Sequence, residues 1–468
     1  MSSKNVITEE NLPRLDVQVR VEGERQKPGF VPCTVGVDLN FSVQALGSYF
    51  FSEWEPAVYD AMLVAAAVEF CDRRRPRAAL SWGREFNLLV PVHDLAQWQS
   101  DRVARPLREA LELLTGDRWS IAFSQRNTAE SPRRQGTFNL PTGTKAVIPY
   151  SDGLDSFVVS SLMSETLGDS LVRVRLGRGT SDTRSLSRKE PFTATPFKVH
   201  APVRGGESSF RSRGFKFLLL GGLAAFLAEA KRVILPESGQ GALGPALITS
   251  GQAHPDYRNH PRFTRKLEQF INALLETSIS YEFPQLWKTK GQGLSEYLQR
   301  SEFRSGPWAE TKSCWQQSRQ VSVGGKHRHC GICAACLLRR LSVHAADANE
   351  AQDHYVWEDL NSPDFETAAT QEFDRKKVTK SMREYAIAGV LHLDQLASLR
   401  HSSLNAADLE FATLELAHAC GLPPQTTADR LSGLLIQHER EWLEFMSSLS
   451  PNSFLHQWAT HANEHSIK

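Results

Sequence analysis

Four cysteines within 23 residues constrain this chain more than any other feature: Cys314, then Cys330-Gly331-Ile332-Cys333-Ala334-Ala335-Cys336. Two-residue gaps let neighbouring thiolates converge, and a thiolate tetrad holds Zn²⁺ tetrahedrally at about 2.3 Å per Zn–S bond. The fold must therefore bring Cys314 back to a knuckle that begins sixteen positions later, with Gly331 suited to the turn. The remaining cysteines, Cys33, Cys71 and Cys420, stand apart. Met1–Leu15 is polar and mixed in charge, so no signal peptide is read there, and clustered cysteines without a secretory signal point to metal and a cytoplasmic protein. Structural zinc is the first reading. An iron–sulfur cluster, which also accepts cysteines two residues apart, is the second, and unligated core cysteines the third. Lys326, Arg328, Arg339 and Arg340 could offset the negative charge, while His327 and His329 are rival ligands that four cysteines make unnecessary.

The second informative stretch is Val147-Ile148-Pro149-Tyr150-Ser151-Asp152-Gly153-Leu154-Asp155-Ser156-Phe157. A buried strand delivers a tight turn of Ser, Asp and Gly to a helix start, where free amides and the helix dipole make an anion site. Gly153 admits a close phosphate, Ser151 and Ser156 offer hydroxyl donors, and Asp155 suits a helix cap or a group oriented to Mg²⁺. The plainer alternative is an ordinary capped helix. The stretch is neither a dinucleotide fingerprint nor a Walker loop.

A length of 468 residues suggests two or three domains, and 41% hydrophobic with 23% charged residues is the composition of a soluble globular protein. A formal net charge of +1 supplies no global field toward nucleic acid or anionic membrane. The apolar stretch Phe215–Ala230 is broken by Lys216, Gly221, Gly222 and Glu229, and reads as a buried helix. Residues 1–14 read as a tail. Strands are expected at Leu15–Glu22, Cys33–Val43, Phe86–Val92 and Trp119–Phe123, with helices at Trp54–Cys71 and Val103–Leu114, the latter stopping at Gly116. Asn127–Thr144 reads as a linker. Beyond it, strands at Ala146–Ile148, Leu171–Leu176, Pro196–Val203 and Val233–Leu235 alternate with helices at Ser156–Leu167 and Phe215–Lys231. That alternation implies a parallel sheet covered on both faces. Residues 236–262 form a long Gly/Pro-rich segment, which in a compact domain is usually functional. Helices are expected at Phe263–Glu276 and Leu337–Ala346. After about residue 350 the chain looks helical, with segments Met382–Leu391, Asn405–Ala419 and Thr426–Met446, an appendage for packing or for a partner.

Ser151-Asp152-Gly153-Leu154-Asp155-Ser156 resembles the SGGxDS loop of the ATP pyrophosphatases, with Asp152 where that family usually has Gly. Together with the cysteines and the Leu337-x-Arg339-Arg340 that follows, the chain resembles the QueC family of 7-cyano-7-deazaguanine synthases over roughly residues 145–346. Arg213-Gly214-Phe215-Lys216-Phe217-Leu218 resembles that family's Arg-Asn-x-x-Phe-Leu helix start, with Gly214 replacing Asn. His254-Pro255-Asp256-Tyr257-Arg258 resembles its Tyr-Pro-Asp-Cys-Arg loop, and Lys288-Thr289-Lys290 its Thr-Lys segment. Taken alone, Arg213 reads equally as a solvated helix end, Asp256 and Arg258 as a loop ion pair, and Lys290 as a surface lysine.

The resemblance implies an α/β fold: a parallel-sheet PP-loop core (adenine nucleotide alpha hydrolase-like, HUP) with a four-cysteine zinc knuckle over residues 141–349. An N-terminal α/β accessory domain at 1–140 and a C-terminal helical region at 350–468 would flank it. It implies ATP, Mg²⁺ and Zn²⁺ as cofactors and 7-carboxy-7-deazaguanine as substrate, its carboxylate adenylated with release of pyrophosphate. The loop residues Ser151 to Ser156 would bind ATP, Asp155, Arg213 and Lys290 would serve catalysis, and Asp256 and Arg258 would read the substrate. The size of the chain resembles the enlarged QatC-type proteins of bacterial anti-phage systems. That likeness implies a deazaguanine conjugate on a partner protein within a defence complex; no membrane is expected, the near-neutral charge disfavours nucleic acid, and homo-oligomerisation is left open. Two rival readings are a nucleotide sensor that has lost turnover, suggested by Asp152, and a PP-loop RNA-modifying enzyme with an iron–sulfur cluster.

Overall fold

The computed structural model describes residues 12–21, 23–41, 55–77, 83–126, 143–176, 192–195, 197–201, 210–250, 254–300, 306–316 and 320–461. The tail expected at 1–14 and the linker expected at 127–144 lie almost wholly outside them. The chain divides into two compact units, Met1–Tyr150 with Met163–Leu235 and Asp256–Glu282, and Ser151–Leu162 with Pro236–Pro255 and Phe283–Lys468.

The first unit holds two parallel sheets. Strands β1 (Arg14–Arg20), β2 (Val31–Thr34), β4 (Glu85–Val92) and β5 (Arg118–Gln125) pair in the order β2-β1-β4-β5. The stretch expected as one strand at Cys33–Val43 is broken after Thr34, and its far part, β3 (Leu39–Phe41), pairs antiparallel with β9 (Phe197–Val199). Helix Pro56–Arg74 begins on a proline and is buried from Val58 through Asp72, so its polar residues need internal partners. Asp72 finds one in Arg84, 1% exposed, which it grips together with Asp117 at 2.6 and 2.8 Å. Helix Asp101–Thr115 stops at Gly116, which takes φ 68°.

The second sheet has the order β11-β10-β6-β7-β8, all parallel, with β6 (Ala146–Pro149), β7 (Leu171–Leu176), β8 (Phe192–Thr195), β10 (Arg232–Ile234) and β11 (Ser280–Glu282). Val147, Val172 and Val233 are at most 1% exposed, as a sheet covered on both faces requires. The helix expected at Phe215–Lys231 runs from Arg213 to Leu227 and is buried along most of its length.

The second unit is mainly helical. It contains the segment Ser151–Leu162 with the phosphate-loop candidate Ser151–Ser156, the helices Lys290–Arg300 and Ala334–Ala345, and the C-terminal helices Lys380–Ser398, Ala406–Cys420 and Pro424–Ser447. The Gly/Pro-rich segment after Leu235 is not the plain loop expected. It folds two single-turn helices, Gly239–Ala242 and Gly244–Leu247, and its final residues start the helix Pro261–Leu274. Residues 351–379, expected to be helical, are instead turns and short 3-10 segments that cover the cysteines. Trp357, Leu360, Phe365 and Phe373 are buried in one core with Cys330, Cys333 and Cys336.

Candidate active site and metal centre

Strand β6 ends at Pro149, and the turn that follows folds on itself. The Ser156 hydroxyl accepts from the Ser151 amide at 3.1 Å and lies 2.9 Å from the Ser151 hydroxyl, which accepts from the Gly153 amide at 3.2 Å. One hydroxyl hydrogen is used between the two serines, leaving the other to donate outward. The helix Leu154–Leu167 makes its first backbone bond from Phe157 to Gly153 at 3.1 Å, so the amides of Leu154, Asp155 and Ser156 are those a helix start offers to an outside acceptor. Neither Asp152 nor Gly153 has positive φ, so the Asp that replaces glycine carries no backbone strain. The Asp152 carbonyl accepts from the Lys312 amide at 2.6 Å, which ties the turn to the segment just before Cys314.

Asp155 is not a helix cap. Its carboxylate pairs with the Lys290 ammonium at 2.6 Å, both side chains mostly buried at 19% and 10% exposure. Burial pulls the Lys290 pKa down, but the charges of Asp155 and Glu237 outweigh it and hold the ammonium above its ordinary range. Leu154, Val158, Ser238, Gln285 and Thr289 close around this pair, enclosing about 10 Å³, room for about one water.

Lys290 opens a helix whose start the composition hides, because Gly291 and Gly293 follow it. The signal that could have found it is Thr289-x-x-Gln292. The Gln292 amide donates to the Thr289 hydroxyl and the Gln292 side chain accepts from the Thr289 amide, both at 3.0 Å, a reciprocal capping box. Two residues that sequence reasoning missed support this turn from helix Pro424–Ser447. Glu441, 3% exposed, accepts from the Thr289 hydroxyl at 2.6 Å, and burial raises its pKa. His438, fully buried, lies 2.7 Å from the Gln240 amide nitrogen, while Gln240 accepts from the Lys290 amide at 2.9 Å. The other ring nitrogen of His438 faces the Leu393 carbonyl at 2.9 Å, so the ring is neutral, donating there and accepting from Gln240. Burial lowers its pKa to about 4.

Arg213, Asp256 and Arg258 belong to the first unit. Arg213 is exposed at its helix start, with its guanidinium 5.4 Å from the centre of the Phe217 ring. The Arg258 side chain donates to Asp256 at 2.7 Å, so the two form an ion pair within their loop. Gly214, which stands for an expected Asn, lets that loop press on the helix: a Cβ there would lie 3.1 Å from the Arg258 Cα.

The four cysteines do converge. Their sulfurs lie within 4.8 Å of one another, with Cys330 and Cys336 3.7 Å apart, and four ligands about 2.3 Å from a tetrahedral Zn²⁺ would sit at about 3.8 Å. Amides support them: Cys330 and Gln316 donate to the Cys314 sulfur at 3.2 and 3.4 Å, and Cys333 to the Cys330 sulfur at 3.3 Å. Gly331 takes φ 87°, with the Trp357 carbonyl 3.0 Å from where a Cβ would lie. Burial pushes the Cys330 and Cys336 thiols well above their usual range, whereas hydrogen bonds from the other three cysteines favour a thiolate at Cys314. Four sulfurs in this arrangement, three of them buried and that of Cys314 half-buried, fit a metal ion. His327 is exposed and His329 stands outside the ligand group.

Of the four basic residues expected near the thiols, Arg340 faces them. Arg328 pairs with Glu358 at 2.6 Å, Lys326 is exposed, and Arg339 has another task. Fully buried, Arg339 pairs with Glu350 at 2.6 Å and donates to the carbonyls of Thr311 and Ala309, both at 2.9 Å. The cysteine helix thereby fixes the segment whose Lys312 amide holds Asp152.

Residues 243–347 match the family model described as queuosine biosynthesis protein QueC. A 7-cyano-7-deazaguanine synthase from Rhizobium rhizogenes is 31% identical over 127 residues, 27% of this chain and 45% of the relative. The chain thus spans less than half the length of the curated relative it matches. The family match takes in Lys290 and all four cysteines, and it ends before His438 and Glu441. Among the described residues, no helix is long and apolar enough to cross a membrane.

Proposed function

We propose that this chain is a QueC-like, ATP-dependent ligase that adenylates the carboxylate of 7-carboxy-7-deazaguanine, releasing pyrophosphate, on the way to an amide, a nitrile or a conjugate on a partner protein. The observation that carries the reading is the Asp155–Lys290 pair, which sets a cation against the first turn of the helix that opens at Ser151–Ser156. A carboxylate is a poor electrophile until one oxygen is made a leaving group. The amides of Leu154, Asp155 and Ser156 would hold the departing pyrophosphate. Lys290, kept protonated, would stabilise charge at the α-phosphate, and Asp155 would fix its direction. Mg²⁺ would accompany the triphosphate. Arg213 would contribute a second cation, and Asp256 with Arg258 would read the deazaguanine or its carboxylate. Zn²⁺ on Cys314, Cys330, Cys333 and Cys336 has a structural role here, since all four positions are protein ligands.

The size of the chain beyond the matched segment supports a QatC-type role in bacterial anti-phage defence, in the cytoplasm, with the deazaguanine passed to a protein acceptor. The decisive experiment incubates the purified chain with ATP and carboxy-deazaguanine, with and without ammonia, and measures AMP and pyrophosphate. Substrate-dependent AMP, abolished by Asp155→Ala or Ser156→Ala at unchanged metal content, is the expected result. ATP binding without AMP would favour the nucleotide-sensor reading, for which Asp152 in the turn is the supporting observation. Iron with sulfide in place of zinc would favour the RNA-modifying one.

A further inference from the structure

We propose that His401, Glu439 and His461 form a second metal site, selective for a divalent transition ion such as Zn²⁺ and separate from the cysteines. One ring nitrogen of His401 lies 2.7 Å from Glu439 Oε1, and one of His461 lies 3.2 Å from the same oxygen. All three donor atoms fall within 4.8 Å of one another. Nitrogen and oxygen ligands about 2.0–2.2 Å from a tetrahedral zinc sit about 3.3 Å apart, so an ion enters with only small adjustments.

The ligands are held from behind, as metal ligands commonly are. Arg400 grips the other oxygen of Glu439 at 2.8 Å. The amides of Thr460 and His461 both donate to Asp394 Oδ2 at 2.8 Å, and the indole of Trp442 donates to Asp394 Oδ1 at 2.9 Å. The two imidazoles stack at 5.6 Å and 24°. His461 and Glu439 are mostly buried, whereas half of the His401 side chain is exposed. The ion thus has a route in from solvent and an outer position for water.

Arg400 cancels the charge of Glu439, which leaves a neutral site. Two imidazoles and one carboxylate without net charge favour zinc, copper or nickel over magnesium or calcium. The three ligands come from the turn after helix Lys380–Ser398, from helix Pro424–Ser447 and from the segment beyond it. An ion there would clamp three C-terminal segments, one of which carries His438 immediately before Glu439. Its role is structural.

The test titrates Zn²⁺, and separately Mg²⁺, into the full-length chain already carrying one metal per cysteine cluster, by isothermal calorimetry with thermal melting alongside. One further zinc per chain, a higher melting temperature and no binding of Mg²⁺ are expected. His401→Gln keeps a donor to Glu439 but removes the imidazole. It should weaken this second zinc at least tenfold while leaving the cysteine-bound metal and the melting temperature in chelator unchanged. Absence of a further zinc in the unaltered chain, or one that His401→Gln binds equally well, overturns the proposal.

Discussion

Lys290 shows how far one side chain's role depends on its partner. Alone it reads as a surface lysine, yet here it is nearly buried and tolerated because Asp155 and Glu237 compensate its charge. Removing one member of such a pair strands the other. Lys290→Met or Asp155→Asn should each lower stability by about 2–4 kcal/mol, and the double variant should recover much of that loss. AMP formation should not recover, because the cation is gone. Chemical denaturation with an adenylation assay on the three variants separates the effects, and a double variant that regains turnover would remove Lys290 from the chemistry.

His438 gives a pH dependence with a definite sign. An unfolded histidine titrates near 6.5, whereas burial holds this one at about 4. Between those values the unfolded chain takes up a proton that the folded chain refuses. The contribution is therefore complete above pH 6.5 and is lost as pH falls toward 4, about 3 kcal/mol in all. His260, whose pKa burial depresses to about 3, acts in the same direction. Denaturation at pH 7.5 and pH 5 should show about 2 kcal/mol of this loss, and His438→Gln should show a shallower dependence than the unaltered chain.

At the scale of elements, legibility followed whether the signal was local. The β6 strand, its turn and its helix could be read because Val147-Ile148 and Ser151–Ser156 carry their own chemistry, and Gly116 marked its helix end. The Lys290 helix was missed because its glycines argue against a helix while the Thr289–Gln292 capping box argues for one. Residues 351–379 were misjudged because Trp357 and Phe365 answer to the cysteine core, a partner distant in sequence. The clustering of the cysteines was legible from spacing, but its link to the Ser151–Ser156 turn was not. That link is Arg339, reaching residues 309 and 311 from the cysteine helix. Arg339→Met should strand Glu350 and several carbonyls, costing about 3–5 kcal/mol. At a temperature where the protein stays folded it should also raise the KM for ATP, although Arg339 itself is fully buried. An unchanged KM would show that the turn keeps its shape without this tether.

At the scale of the molecule, the family match stops at residue 347, but the second unit does not. Leu243 and Leu286 share a core with Leu396, Leu416, Leu431 and Leu434, and the cysteines share another with Leu393, Trp442 and Phe445. His438 and Glu441 fasten the turn that bears Lys290. Burying a leucine contributes about 1.5–3 kcal/mol, and more than a dozen apolar residues beyond 350 enter these two cores. Against a typical net stability of about 5–15 kcal/mol, the second unit does not stay folded without them. A chain ending at Asn349 should therefore retain the whole first unit, the Ser151–Ser156 turn and the cysteine cluster, yet show no cooperative unfolding of the second unit and no tight metal binding. Supplying residues 350–468 as a separate polypeptide during refolding should restore both properties. A truncated chain whose second unit still melts cooperatively and keeps its metal would instead make the C-terminal helices an independent attachment, with Lys290 supported by the matched segment alone.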